Sequence, residues 1–167
     1  MRSCFVHHGP IRRALHRMKF HGRYRIAQAL ASQMAEGWAR FGVEADLLIP
    51  VPTSKARQQQ RGYNQAAMLA HALAERLAIP FHAYALRRAR ATRSQEGLAR
   101  SARRENVRGA FLGDPAGYQG KRVVAVDDVC TSIVPLEACA TALYQAGAAS
   151  GWGFTLARAI MSKAPHE

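Results

Sequence analysis

The sequence predicts an α/β domain with a parallel sheet and helices packed on both faces, and three observations carry that expectation. Two short runs, "ADLLIPVP" and "GKRVVAVDD", have centres (Leu47–Val51 and Val123–Val126) that are apolar at every position rather than alternating, as strands buried on both faces are. The stretches between and after them repeat apolar residues at three- and four-residue spacing, the period of a helix. The two kinds of segment alternate along the chain, and a strand that returns parallel to its predecessor needs a crossover helix.

In order along the chain, residues 10–40 read as helix. Ile11, Leu15 and Met18, then Ile26, Leu30, Met34 and Trp38, mark one face, with "HGR" at 21–23 as a candidate break. A buried strand follows at Asp46–Val51, stopped by Pro50 and Pro52. "NQAAMLAHALAERLA" is a helix with Met68, Leu69, Ala72, Leu73 and Leu77 on one face, ended by Pro80. Residues 87–108 are polar and basic without a clear period and read as a loop with helical parts. "PLEACATALYQAGA" is a helix with Pro135 near its first turn and Gly147 at its end, and Gly151–Ala157 is a further strand.

At 167 residues the chain is expected to form a single domain, 1–167, and its 49% hydrophobic content is that of a globular protein. Its apolar runs are far shorter than the roughly 20 residues of a membrane span, and the N-terminus shows no signal-peptide pattern, so a cytoplasmic location is expected. Three cysteines, Cys4, Cys130 and Cys139, without a C-x-x-C pair, argue against a disulfide framework and against structural zinc. The net charge of +13 is carried by 20 arginines against four lysines. Residues 2–25 hold seven cations and no acid, and residues 87–108 hold eight arginines against Glu96 and Glu105. Arginine's planar fork suits phosphate, so this distribution points to phosphorylated partners or nucleic acid; genomic base bias is the bland alternative.

In a parallel sheet, ligands bind at the carboxyl ends of the strands. Two loops lie there, Pro52–Asn64 with Lys55, Arg57 and Arg61, and Asp127–Pro135 with the acid pair and Thr131 and Ser132. Each has a plain reading beside the functional one: a solvated basic turn, and acids and hydroxyls that end a strand and cap a helix. Tyr63, Tyr84 and Phe111 are candidate base-stacking residues or, more simply, core.

At these loops the sequence becomes specific. "IPVPTSKARQQQRGYNQAAMLAHALA" resembles the signature of the ComF family of phosphoribosyltransferase-like, competence-associated proteins. Downstream, Leu86, Arg88, Thr92, Gln95, Leu98, Arg103, Asn106, Val107, Ala110 and Phe111 follow that family's pattern. "GKRVVAVDDVCTSIVPLEACATALYQAGA" is similar to its diphosphoribose-binding segment, and "LHRMKFHGRYRIAQALA" to its Leu-Lys-Phe-x-Gly stretch. The likeness runs over roughly residues 10–160 in the family's order.

The resemblance implies a type I phosphoribosyltransferase-like fold with residues 1–40 as an N-terminal helical, hood-like segment. It implies that Asp127, Asp128, Thr131 and Ser132 face a phosphoribosyl group, and that Lys55, Arg57 and Arg61 face its diphosphate. Arg88, Thr92, Gln95 and Arg103 would lie on a mobile basic segment over the site, and Mg²⁺ would be held by Asp127 and Asp128 only with ligand present. Phosphoribosyl diphosphate, single-stranded DNA and competence proteins are the implied partners. Two departures stand out. The cysteine-rich zinc module of many members is reduced to Cys4, so no zinc is carried over. Ile133 stands at the glycine of the phosphate loop, and Pro135 at its last threonine. A branched Cβ obstructs close approach of phosphate, and proline deletes a donor. The expectation is an accessory of DNA uptake with a degraded phosphoribosyl loop; the alternative is an active Mg²⁺-dependent phosphoribosyltransferase with an unidentified acceptor.

Overall fold

The structure, a computed structural model, describes residues 1–21, 24–90 and 100–159. Its elements run β1 (Arg2–Val6), α1 (Gly9–His21), α2 (Tyr24–Phe41), β2 (Leu47–Pro50), α3 (Lys55–Arg61), α4 (Gln65–Leu77), β3 (Leu86–Arg88), α5 (Arg100–Val107), β4 (Phe111–Gly113), β5 (Arg122–Cys130), α6 (Val134–Gln145) and β6 (Ser150–Arg158). β1, β6, β5 and β2 form one sheet in that order, and every pair is parallel. β3 and β4 make a separate antiparallel pair. Phe81 extends the sheet beyond β2 by a single bridge to Leu48.

Both sheet faces are covered, as the unbroken apolar runs predict. Val124 and Val126 of β5, Leu48 of β2 and Phe154 and Leu156 of β6 meet Leu15, Met18, Leu30, Met34, Leu69 and Leu73 of α1, α2 and α4. Val123 and Ala125, with Leu47 and Ile49, face the other way, onto Leu136, Cys139 and Leu143 of α6 and onto Leu86 and Phe111 of the small hairpin. Burial of this kind contributes about 25 cal/mol per Å² of apolar surface, so these two layers supply the main stabilisation. Trp38 meets Phe154 edge to face at 5.2 Å between ring centres, locking α2 to the middle of the sheet.

Where α6 crosses β6, side chains are absent. A Cβ on Gly153 would stand 3.1 Å from Leu136, and one on Gly151 3.4 Å from Ala140, so glycine at both positions lets the helix sit close on the strand. α6 begins at the carboxyl end of β5, and its seat on β6 therefore fixes where its first turn stands.

Three elements differ from the sequence expectation. Residues 2–6 form a strand rather than part of an N-terminal helical segment. β1 is held beside β6 by its ladder and by a hydrogen bond between the Ser3 and Thr155 hydroxyls at 2.7 Å. The basic turn after β2 is a two-turn helix, α3, without a buried residue. Within 87–108, Arg87 and Arg88 belong to β3 and residues 100–107 to α5.

Candidate functional site

All four strands of the sheet point their carboxyl ends the same way. His7 after β1, Val51–Ser54 after β2 and Asp127–Thr131 at the end of β5 therefore share one rim of the molecule. The acid pair lies within β5, which continues to Cys130. Each carboxylate caps the next amide: Asp128 N–H donates to Asp127 Oδ1 at 2.9 Å, and Val129 N–H to Asp128 Oδ1 at 2.8 Å. Up to Val126 the strand alternates regularly between its two cores. Beyond the acids the order is reversed, with Val129 on the α2 and α4 side and Cys130 on the α6 side.

The two acids have different surroundings. Asp127 lies within electrostatic reach of Arg57, Arg88, Cys130 and Cys139. Asp127 is half-buried, and burial first, then the neighbouring Asp128, push its carboxyl well above the usual carboxylate range; Arg57 pulls the other way. Asp128 is felt by His7, whose protonation is held down by burial, Lys19 and Arg12 against Asp128's opposing pull. Burial likewise raises Cys139, which leaves it a protonated thiol inside the α6 core rather than a nucleophile.

The segment expected to hold phosphate is bonded into the start of α6. Ile133 is the N-cap residue of α6, with helical φ −68° and ψ −20°, and no side chain caps the helix from that position. The Ser132 hydroxyl accepts from Val134 N–H at 3.3 Å, so a group expected on phosphate is spent on the helix itself. Pro135 brings no N–H, and Glu137 N–H is bonded to Ile133 O at 2.9 Å. A helix start normally offers several free N–H groups to an anion. Here one is taken, one is missing, and the next belongs to the buried Leu136. Glu137 adds a negative charge to that turn and pairs with Arg104 at 3.5 Å. Ile133 itself lies partly exposed over the loop.

The second loop is built firmly. The Ser54 hydroxyl accepts from Arg57 N–H at the start of α3, and Gly62 ends it in the left-handed region at φ 78°, which glycine adopts without strain. Asn64 then opens α4, accepting from Ala66 N–H at 3.1 Å and donating to Val51 O at 3.0 Å. Arg61 donates to Gln65 Oε1 at 2.6 Å, which commits it to the scaffold, while Lys55 and Arg57 project from the exposed helix. The Tyr63 hydroxyl donates to Met18 O, tying this turn to α1.

Asp127, Asp128, Arg57 and Arg88 are thus brought together, with Thr131 and Ser132 at the same rim. Arg88 is on a strand and not on a loop; its guanidinium sits 5.1 Å above the Phe111 ring, and Phe111 is buried. Thr92 and Gln95 lie outside the described residues, and Arg103 is on α5, which packs on α6. Tyr84 is 84% exposed in the turn that leads into β3. His7 is the residue sequence reasoning missed. Its signal is its place directly after the apolar "CFV" run, which lies before the helical period that begins near residue 10 and forms β1.

Among the described residues no group of three or more histidines, cysteines or acids gathers, and no helix is long and apolar enough to cross a membrane. Two carboxylates, each with one oxygen on a backbone amide, fit Mg²⁺ only when a ligand supplies further oxygens.

No family model matches the chain. Among known proteins it is 32% identical over 156 residues to the DNA utilization protein YhgH of Escherichia coli O157:H7, a match covering 90% of this chain and 68% of YhgH. The chain belongs to the ComF family. The competence protein ComFC of Bacillus subtilis is 29% identical over 161 residues, covering 94% of this ComF-family chain and 63% of ComFC. Among solved structures, the glutamine phosphoribosylpyrophosphate amidotransferase of Bacillus subtilis superposes with a TM-score of 0.53 at 26% identity, over 77% of this chain and 25% of that one. An adenine phosphoribosyltransferase from Thermoanaerobacter pseudethanolicus gives 0.52 at 16% identity, over 80% and 69%. The ComF-family chain has a phosphoribosyltransferase-like fold, as its sequence leads one to expect.

Proposed function

We propose that this ComF-family chain is an accessory in the uptake of DNA that binds single-stranded DNA on a phosphoribosyltransferase fold whose phosphoribosyl loop no longer grips its ligand. The observation that carries the reading is the first turn of α6. Ile133 is helical, the Ser132 hydroxyl is spent on Val134, and Pro135 has no donor. The names of the relatives, DNA utilization protein and competence protein, give the direction. Competence proteins would be its macromolecular partners and the cytoplasm its place of work. Asp127, Asp128, Thr131 and Ser132 then serve as a relic rim, and Lys55 and Arg57 as general phosphate contacts.

A second reading, Mg²⁺-dependent transfer of a phosphoribosyl group to an unidentified acceptor, is favoured by the gathering of Asp127, Asp128, Arg57 and Arg88 at one strand end. In it, Asp127 and Asp128 would hold the ion together with ligand oxygens, and the ion would neutralise the diphosphate. Calorimetric titration of phosphoribosyl diphosphate with Mg²⁺ into the native protein decides between them. The accessory reading expects no binding in the micromolar range. Micromolar binding, with diphosphate released when a base is added, would overturn it in favour of the enzyme.

A further inference from the structure

We infer that a single nucleic-acid strand lies along α1 and α3, on a track of Arg12, Arg13, Arg17, Lys19, Lys55 and Arg57 that ends beside the acid pair. This rests on the DNA-binding reading above and names the surface it uses.

The charge distribution is one-sided. Residues 1–35 and 47–74, which include both helices, contain no acid. Among the described residues the ion pairs use Arg104, Arg108, Arg122 and His71, and none uses a cation of α1 or α3. α1 also carries its charge against its own field. Arg12 closes the first turn and Arg13 follows it directly, at the positive end of the helix dipole that favours acids. Arg13 and Arg17 follow one another by one turn, about 6 Å, and repel each other. An isolated helix is better off without this arrangement, and a polyanion lying on it reverses every sign.

Two contacts join the rows. The Tyr63 hydroxyl, just past α3, donates to Met18 O of α1. His7 lies within reach of Arg12, Lys19 and Asp128 together, which places α1 beside the acid end of β5. None of the residues of α3 is buried, so Lys55 and Arg57 are presented to solvent. A track spread over two separate helices suits a flexible single strand, whereas duplex DNA is stiff over about 150 base pairs. Strand binding of this kind is electrostatic and strongly salt-dependent.

The test is fluorescence anisotropy of a labelled 20-mer oligothymidylate at several salt concentrations, on the full chain. Arg13→Gln/Arg17→Gln and Lys55→Gln/Arg57→Gln each remove two phosphate contacts. Each should reduce the slope of log K against log salt by about 1.4 and weaken binding at ~0.15 M salt about tenfold. Arg40→Gln/Arg76→Gln makes the same charge change at exposed positions near the far ends of α2 and α4, and should leave the slope at the native value. Circular dichroism melts establish that all three variants fold. Native-like slopes for the α1 and α3 variants overturn the track while leaving the DNA-binding reading intact. Equal losses in all three variants reduce the binding to net charge and also overturn it. Equal displacement by a 20-base-pair duplex overturns the single strand as occupant. No binding by the native protein removes the reading and the track together.

Discussion

Ile133→Gly/Pro135→Thr should convert this chain into a phosphoribosyl diphosphate binder, and the size of the gain follows from counting donors at α6. The native first turn lacks one N–H at Pro135, has a second engaged by the Ser132 hydroxyl at 3.3 Å, and carries a partly exposed isoleucine where phosphate would approach. Threonine at 135 restores one N–H and adds a hydroxyl. Glycine at 133 clears the approach and permits the backbone conformations that isoleucine resists. Two recovered hydrogen bonds to a charged group contribute about 1.5–3 kcal/mol each, so the double variant should gain roughly 3–6 kcal/mol, or about 10²–10⁴ in affinity. The cost falls on stability. Replacing proline and introducing glycine loosens the unfolded chain by about 0.4–1 kcal/mol each, which lowers Tm by a few degrees. Calorimetry with Mg²⁺ on the native protein, both single variants and the double variant is the assay. A folded double variant that binds no better than the native protein would show that these two residues are not what closes the loop. Micromolar binding by the native protein would show that the loop was never closed.

Two further outcomes follow from the same geometry. Asp127's pKa is raised in the folded state, so its contribution to stability is full below the usual 3.8 and is lost as pH rises through the folded value. Asp127→Asn should flatten the fall in thermal stability as pH rises above 3.8 and melt no lower than the native protein at neutral pH; parallel profiles would refute this. Asn64→Ala removes both the cap of α4 and the bond to Val51 O and should cost about 1–3 kcal/mol by urea denaturation, whereas Asn64→Asp keeps the cap and should lose about half of that; an alanine variant as stable as the native protein would contradict the assignment.

The parts of the fold legible in the sequence are those whose side chains meet a core. "VVAV" and "LLI" are apolar on every residue because both faces of the sheet are covered, and α2 and α4 show their period because one face of each is buried. What was not legible lacks that signature. α3, "KARQQQR", has no apolar residue on which a period could show except Ala56, and it is helical because Ser54 caps it and Gly62 ends it. β1, "RSCFV", lies at a sheet edge with exposed ends, and β3 is three residues long with two arginines. The site followed the same division. The acid pair and basic turn could be named from their place after strands. Arg88's partnership with Asp127 and His7's place beside Asp128 depend on the two elements that went unread.

The order of the sheet also governs how the molecule can be assembled. β6, the last of the described strands, is not at an edge but between β1 and β5, and its ladder to β5 is the most extensive in the sheet. While the chain is being synthesised, β1 waits for a partner about 150 residues away, as the hydrogen bond from Ser3 to Thr155 marks. Until residue 158 has emerged, β5 can pair only with β2, and its other edge stands open. Long-range parallel pairing of this kind is slow, and open edges invite aggregation in the interval. A nascent chain stalled before β6 should therefore be a client for chaperones and proteases rather than a partly working protein, and the two halves of the candidate rim come together only in the last step.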